Sequence, residues 1–225
     1  MLHLADEGEA ADLAAFLSRL LHYDRSAAVR LQAAGTALAV FGRPPSFEVL
    51  AVRAVRLAKP YENGLDVTLD VTVSAGELLE TVDEQSVTAG VPGAVTGPPW
   101  AGVLPPRGGW RPEPGLPAPD ALRALVAAAV AEFRSRTGEL AAEARTRAEL
   151  DRIGRDIWSR TVGDTGLPVR AVHAAQSLGF LRPGARSAED APVLFSSGAW
   201  LRLRTPYGSV ALRRAGTGAL GISVR

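Results

Sequence analysis

Cysteine is absent from this chain, which excludes disulfides, thiolate nucleophiles and cysteine-bound zinc together. Histidine is scarce: His3, His22 and His173 lie in three separate segments, so neither a histidine metal cluster nor a catalytic triad is spelled out. Lysine is nearly missing, Lys59 being the one lysine among 25 Lys/Arg. No apolar run approaches the roughly eighteen residues that a bilayer crossing requires. The opening stretch, with Asp6, Glu7 and Glu9, is acidic where a secretory leader is basic. Walker loops, zinc-protease pairs and nucleophile-elbow pentapeptides are not found. These absences predict a cytoplasmic, non-enzymatic protein with no membrane segment, no catalytic residues, no cofactor and no metal.

What is present is ordinary globular composition, with 47% apolar and 22% charged residues in 225, enough for one large domain or two small ones. Charge is unevenly spread. Residues 1–110 hold eight Lys/Arg against thirteen Asp/Glu, a net of −5, whereas residues 141–225 hold thirteen Arg against seven acids, a net of +6. Such asymmetry suggests an anionic partner for the basic end. Arginine in place of lysine, with abundant alanine, points to a GC-rich genome, but codon bias does not gather cations at one end.

Residues 1–89 read as an α+β domain: an antiparallel meander flanked by helices. Asp6 and Glu9 have capping-box spacing, and Leu13, Phe16, Leu17, Leu20 and Leu21 recur at helical intervals to about His22. Strands are expected over Ala28–Ala33, Ala37–Phe41 and Phe47–Leu57, followed by an Asn63-Gly64 turn and an alternating strand, Leu65–Val73. Ser74 and Glu77 then open a short helix. Leu-Asp-Val-Thr occurs at 65–68 and again at 69–72, a duplication of even length that keeps strand alternation. Asp66 and Asp70 within it read as a solvated strand face.

Residues 90–118 carry a large share of the sixteen prolines and are expected to be an extended, polyproline-like linker. Trp100 and Trp110 within it favour pinning against a domain over free dangling. From Asp120 an amphipathic helix runs toward Gly138, with Leu122, Leu125, Val126, Ala129, Val130 and Phe133 on one stripe, and Thr146 with Glu149 makes a third capping box.

Residues 119–225 have the element order of a winged helix: helix Arg145–Val162, a Gly163-Asp164-Thr165-Gly166 turn, helix Pro168–Leu181, and a hairpin of Trp200–Arg204 and Ser209–Arg214. On a helical wheel, Arg170, His173 and Ser177 fall opposite the apolar stripe, with Gln176 at its edge. A recognition helix needs that division. Arg204, Arg202, Arg213 and Arg214 on the hairpin would then lie over phosphate. The expected site is therefore nucleic-acid-binding: Arg170, His173, Gln176, Ser177, Arg202, Arg204, Arg213 and Arg214, with DNA as partner. The rival is a protein-interaction or scaffold protein whose basic hairpin meets an acidic partner, or the chain's own acidic N-terminal part. The Gly-x-Gly-x-x-Gly string at Gly216–Gly221 has no helix to follow it and reads as accidental.

Two wider patterns remain. Leu31, Gly35 and Pro44 are faintly echoed by Leu194, Gly198 and Pro206, each set following a helix, a match too loose to establish a repeated helix-plus-meander unit. Pro98-Pro99-Trp100, Arg107-Gly108-Gly109-Trp110 and Leu178-Gly179-Phe180-Leu181 resemble a group of uncharacterised actinobacterial, streptomycete-type proteins. That resemblance implies an intracellular bacterial protein and transfers no catalytic residue.

Overall fold

The computed structural model describes residues 1–61, 68–183 and 190–214. Its elements in chain order are β1 (Leu2–His3), α1 (Glu7–Tyr23), β2 (Ala28–Ala34), β3 (Ala37–Gly42), β4 (Leu50–Arg56), β5 (Thr68–Ser74), α2 (Ala75–Glu80), β6 (Val82–Asp83), β7 (Thr88–Ala89), β8 (Arg111–Glu113), α3 (Pro119–Gly138), α4 (Arg147–Trp158), α5 (Val169–Ser177), β9 (Val193–Ser197), β10 (Trp200–Thr205) and β11 (Gly208–Arg213). The chain is mixed α+β with antiparallel sheets. The expected Asn63-Gly64 turn, the start of the Leu65–Val73 strand with Asp66, and the Gly216–Gly221 string lie outside the described residues.

The caps expected at helix starts are made. Asp6 accepts from the Glu9 amide at 2.9 Å, Ser74 from Glu77 at 3.3 Å and Thr146 from Glu149 at 3.3 Å, each satisfying an otherwise unpaired first-turn donor. The expected strand at Phe47–Leu57 is shorter. Pro45–Phe47 forms a 3-10 turn and Glu48 adopts φ 53°, so Phe47 turns into the core against Tyr23 and His173.

Eight strands form one sheet in the order β5-β2-β3-β4-β11-β10-β9-β8, and β1, β7 and β6 make a small second sheet. Two meanders, β2-β3-β4 and β9-β10-β11, meet edge to edge where β4 pairs antiparallel with β11. The resulting order is that of a pseudo-twofold axis through the β4–β11 pair. In each unit a helix precedes the meander and packs on its last strand, α1 on β4 and α5 on β11. Each first turn is two residues long and opens on a glycine at positive φ, Gly35 at 56° and Gly198 at 54°, a conformation that carries no Cβ penalty for glycine. Leu31 and Gly35 thus occupy positions equivalent to Leu194 and Gly198 in the two meanders.

One sequence expectation is corrected. The basic hairpin is not a projecting wing: β11 is paired to β4 and β10 to β9, so it fills the middle of the sheet with no free edge. The Pro/Gly-rich segment is extended and pinned, as Trp100 and Trp110 suggested, and is laid across the sheet. Val95 donates to the Thr72 carbonyl at 2.9 Å, Arg30 donates to the Ala101 carbonyl, Ser197 donates to the Gly108 carbonyl at 3.1 Å, and β8 adds to β9 as the last strand. We call residues 95–113 the strap. Trp110 is pinned within it, its Nε1 donating to the Pro106 carbonyl at 2.9 Å. One hydrophobic cluster includes Leu13, Leu17, Leu31 and Val40 together with Val172, Leu194, Leu203 and Val210.

Candidate functional site: the outer face of the sheet

Strand alternation gives the sheet a helix-covered face and an outer face. Leu31, Val40, Leu203 and Leu194 are buried on the first. The outer face carries Arg30 and Gln32 of β2, Ala39 and Phe41 of β3, Val52 and Ala54 of β4, Ser209 of β11, and Arg202 and Arg204 of β10. A single cross-strand row joins Arg30, Phe41, Val52, Ser209, Arg204 and Val193.

Three of the expected site residues share this face, spread along the β10–β11 pair. Arg204 is exposed and lies 5.6 Å from the Phe195 ring centroid. Arg213 is exposed and sits cross-strand from Trp200. Arg202 is half-buried: its Nε donates to Ser209 Oγ at 2.9 Å and its guanidinium lies 5.8 Å from the Trp110 ring centroid. Burial, and secondarily the neighbouring Arg204, pushes the Arg202 guanidinium below its ordinary value, because desolvation disfavours the charged form. Among the described residues none of these three makes an ion pair.

The other five expected residues are placed elsewhere. Arg214 is neutralised by Glu113 at 2.8 Å, beyond the end of β11. The helix expected to enter a groove is α5, and it is sealed between β11, α3, α4 and the Pro45–Phe47 turn. Arg170 is taken up by Glu48 at 3.5 Å, and its Nε is buried without a hydrogen bond. His173 is held between Phe47 and Trp158, with ring centroids 5.1 and 4.7 Å away, and burial lowers its pKa. Gln176 has its Oε1 buried, and Ser177 is half-buried at the helix end. A helix so covered offers no open face to a duplex, which corrects the recognition-helix expectation.

Several other arginines serve the fold. Arg136 and Arg160 bridge α3 and α4 through Glu132 and Asp156 at 2.5–3.2 Å. Arg182 reaches Asp12 of α1 at 2.5 Å and stacks on Tyr207 at 3.9 Å. With Arg170–Glu48, this means that part of the opposed charge between the chain's ends is spent internally, but through arginines outside the hairpin, so the hairpin-to-N-terminal self-contact is not what is seen among the described residues.

The sequence reading missed Arg30, Gln32, Phe41 and Arg107. Asp70 accepts from Arg30 Nε at 2.7 Å and from Gln32 at 3.0 Å. Its carboxyl is held below the ordinary value by the Arg30 hydrogen bonds first, with help from Gln32 and from the field of Arg107. Alternation in β2 already put Arg30 and Gln32 on one face; nothing local signalled that the strap would cover them. Between strap and sheet is a cavity of about 340 Å³ lined by Arg30, Gln32, Phe41, Leu104, Arg107 and Arg202, among others. No group of three or more His, Cys, Asp or Glu residues is placed to hold a metal among the described residues. Nor is any helix among them long and apolar enough to cross a membrane.

Residues 105–217 match the family described as Domain of unknown function (DUF8185), and residues 1–102 match Domain of unknown function (DUF8010). The two matches meet within the strap. No curated protein matches. Among solved structures, the chain resembles a DNA polymerase sliding clamp from Pseudomonas aeruginosa, crystallised with a ligand, at 13% identity and a TM-score of 0.43. The match covers 91% of this chain and 62% of that one, and a likeness at this score carries no functional argument.

Proposed function

As the chain belongs to the DUF8185 family, whose description names no activity, we propose from its own geometry that it is a non-enzymatic binding protein. It uses the outer face of its second meander to hold a polyanion, with nucleic acid as the partner. The observation that carries this reading is that, among the described residues, Arg204 and Arg213 are exposed on the outer side of β10 and β11 without a carboxylate partner, whereas Arg136 and Arg160 at α3 and α4 are paired. Exposed guanidiniums on a flat β face suit phosphate contact, which supplies affinity and salt dependence but little sequence selection. A groove-reading helix has no part in this, since α5 is buried.

Fluorescence anisotropy with a labelled 20-nucleotide single strand and a 20-base-pair duplex tests the reading. Affinity should fall steeply with salt, and Arg204→Gln with Arg213→Gln should flatten the log Kd against log [salt] slope by about two contacts for either nucleic acid, roughly 0.9 per contact on duplex. Absence of binding at about 50 mM salt overturns it. A second reading is an acidic protein partner, for which Val103 on the strap, exposed at 53%, offers an apolar contact. It requires binding that survives nuclease treatment.

A further inference from the structure

We propose that the cavity under the strap is a binding site for a small organic carboxylate with a flat apolar body. This is separate from the polyanion face: it depends on Arg202, which points under the strap, and not on the exposed Arg204 and Arg213.

The case begins with an imbalance of donors. Arg202 offers five N–H donors in a rigid fork. Its Nε is used by Ser209 at 2.9 Å, and no Nη hydrogen bond to a protein acceptor is made among the described residues. Those Nη groups are not sealed away, because Arg202 lines the cavity. A half-buried guanidinium with neither carboxylate nor full hydration is costly, and a bound carboxylate would relieve that cost with two parallel hydrogen bonds. The neighbouring cation Arg30 is not available for this, being committed to Asp70 through both Nε and Nη2, at 2.7 and 2.9 Å, and to the Ala101 carbonyl. The site therefore presents the open fork of Arg202, with the exposed Arg107 as a second cation in its lining.

The walls define the rest of the ligand. Ala39, Phe41, Val52 and Ala54 make an apolar floor on the sheet, and Leu104, Pro105 and Pro106 make an apolar roof on the strap. A slot between a strand surface and a proline-stiffened roof suits a flat body. Gln32 at the wall donates its amide to Asp70 at 3.0 Å, which leaves its Oε1 to accept from a ligand hydroxyl. A volume of about 340 Å³ lies at the small end of ligand pockets, so the occupant is small. The sequence supplies these features from both meanders and the strap, and the cavity exists only where all three meet.

Isothermal titration of the full chain with 4-hydroxybenzoate tests the site, with neutral 4-hydroxybenzyl alcohol and inorganic phosphate as comparison probes. The expected result is saturable 1:1 binding of 4-hydroxybenzoate, weakened roughly tenfold or more in Arg202→Gln, with the alcohol and phosphate each binding at least tenfold more weakly. Leu104→Trp, which fills the slot from the roof, should abolish binding and keeps the test decisive should Arg202→Gln fail to fold. Four outcomes overturn the proposal: no saturable binding of 4-hydroxybenzoate up to about 10 mM, equal binding of the alcohol, equal binding of phosphate, or unchanged affinity in the folded Arg202→Gln protein. The Arg204→Gln/Arg213→Gln protein should retain carboxylate binding, so failure of this site and failure of the polyanion face are read separately.

Discussion

The two meanders share one plan and differ in how their arginines are paired: Arg53 and Arg30 of the first meet carboxylates, whereas Arg202 and Arg204 of the second make no ion pair among the described residues. Superposing the β2–β3 turn on the β9–β10 turn aligns Val40 with Leu203, Arg53 with Val210, Ala39 with Arg202 and Phe41 with Arg204. In the first meander the odd residue is Arg53, on the helix-covered face and buried, where Glu9 of α1 meets it at 2.7 Å and Asp12 at 3.4 Å. Its Nη1 also donates to the Tyr207 carbonyl at 2.9 Å, tying the first unit to the hairpin of the second. In the second meander that position is valine, and the cations stand on the outer face. Cations surrounded by the chain's own carboxylates belong to the fold; cations on an open face without them are left for something else.

Removing the buried carboxylate should break this comparison with the largest effect. Glu9→Ala leaves the buried Arg53 with Asp12 as its remaining carboxylate and leaves Arg56, which Glu9 holds at 2.9 Å, to Asp6 alone. Chemical denaturation should show a loss of about 3–5 kcal/mol, the usual cost of stranding a buried charge. The double change Glu9→Leu with Arg53→Val, which copies the second meander, should recover most of that loss. If the single variant is as stable as the parent, the ion cluster is not structural.

Next in size is Gly208→Ala. The first meander tolerates alanine at the equivalent position, Ala51. Gly208, however, has φ 154°, and a Cβ there would come within 2.5 Å of the Phe180 ring. Backbone strain and overpacking together should cost about 3 kcal/mol, measured as a fall in the denaturation midpoint. A change under about 1 kcal/mol would show that the duplicated turns are interchangeable.

A smaller effect concerns His173, where the second unit's helix meets Phe47 of the first. Burial lowers its pKa in the folded chain from the ordinary 6.5, so the unfolded chain binds more protons as pH falls through about 6.5. Stability should therefore decline between pH 7.5 and 5.5, and His173→Phe should flatten that limb in denaturation midpoints measured across the range. An unchanged slope in the variant would exclude His173 as its source.

Much of the fold could be read from local rules. The three capping boxes, the β2–β3 and β10–β11 strands and the α3 stripe all follow from spacing and turn chemistry. The site was less legible. Helical periodicity placed Arg170, His173 and Ser177 on the polar side of α5, but the same polarity serves a helix packed beneath α4, where Trp158 stacks on His173 and Glu48 takes Arg170. Nothing local to Trp200–Arg214 revealed that β4, some 150 residues earlier, would occupy the edge of the hairpin. The strap's path across the outer face is likewise set by long-range partners, Thr72 at one end and Ser197 at the other.

The claim that the outer face of the second meander, and not the helical layer, meets the partner is tested most directly by amide hydrogen exchange of the full chain with and without a 20-nucleotide strand. Protection confined to β10, β11 and residues 95–113 is the expected pattern, with α4 and α5 unchanged. Protection appearing on α4 and α5 while the outer strands exchange as before would contradict it.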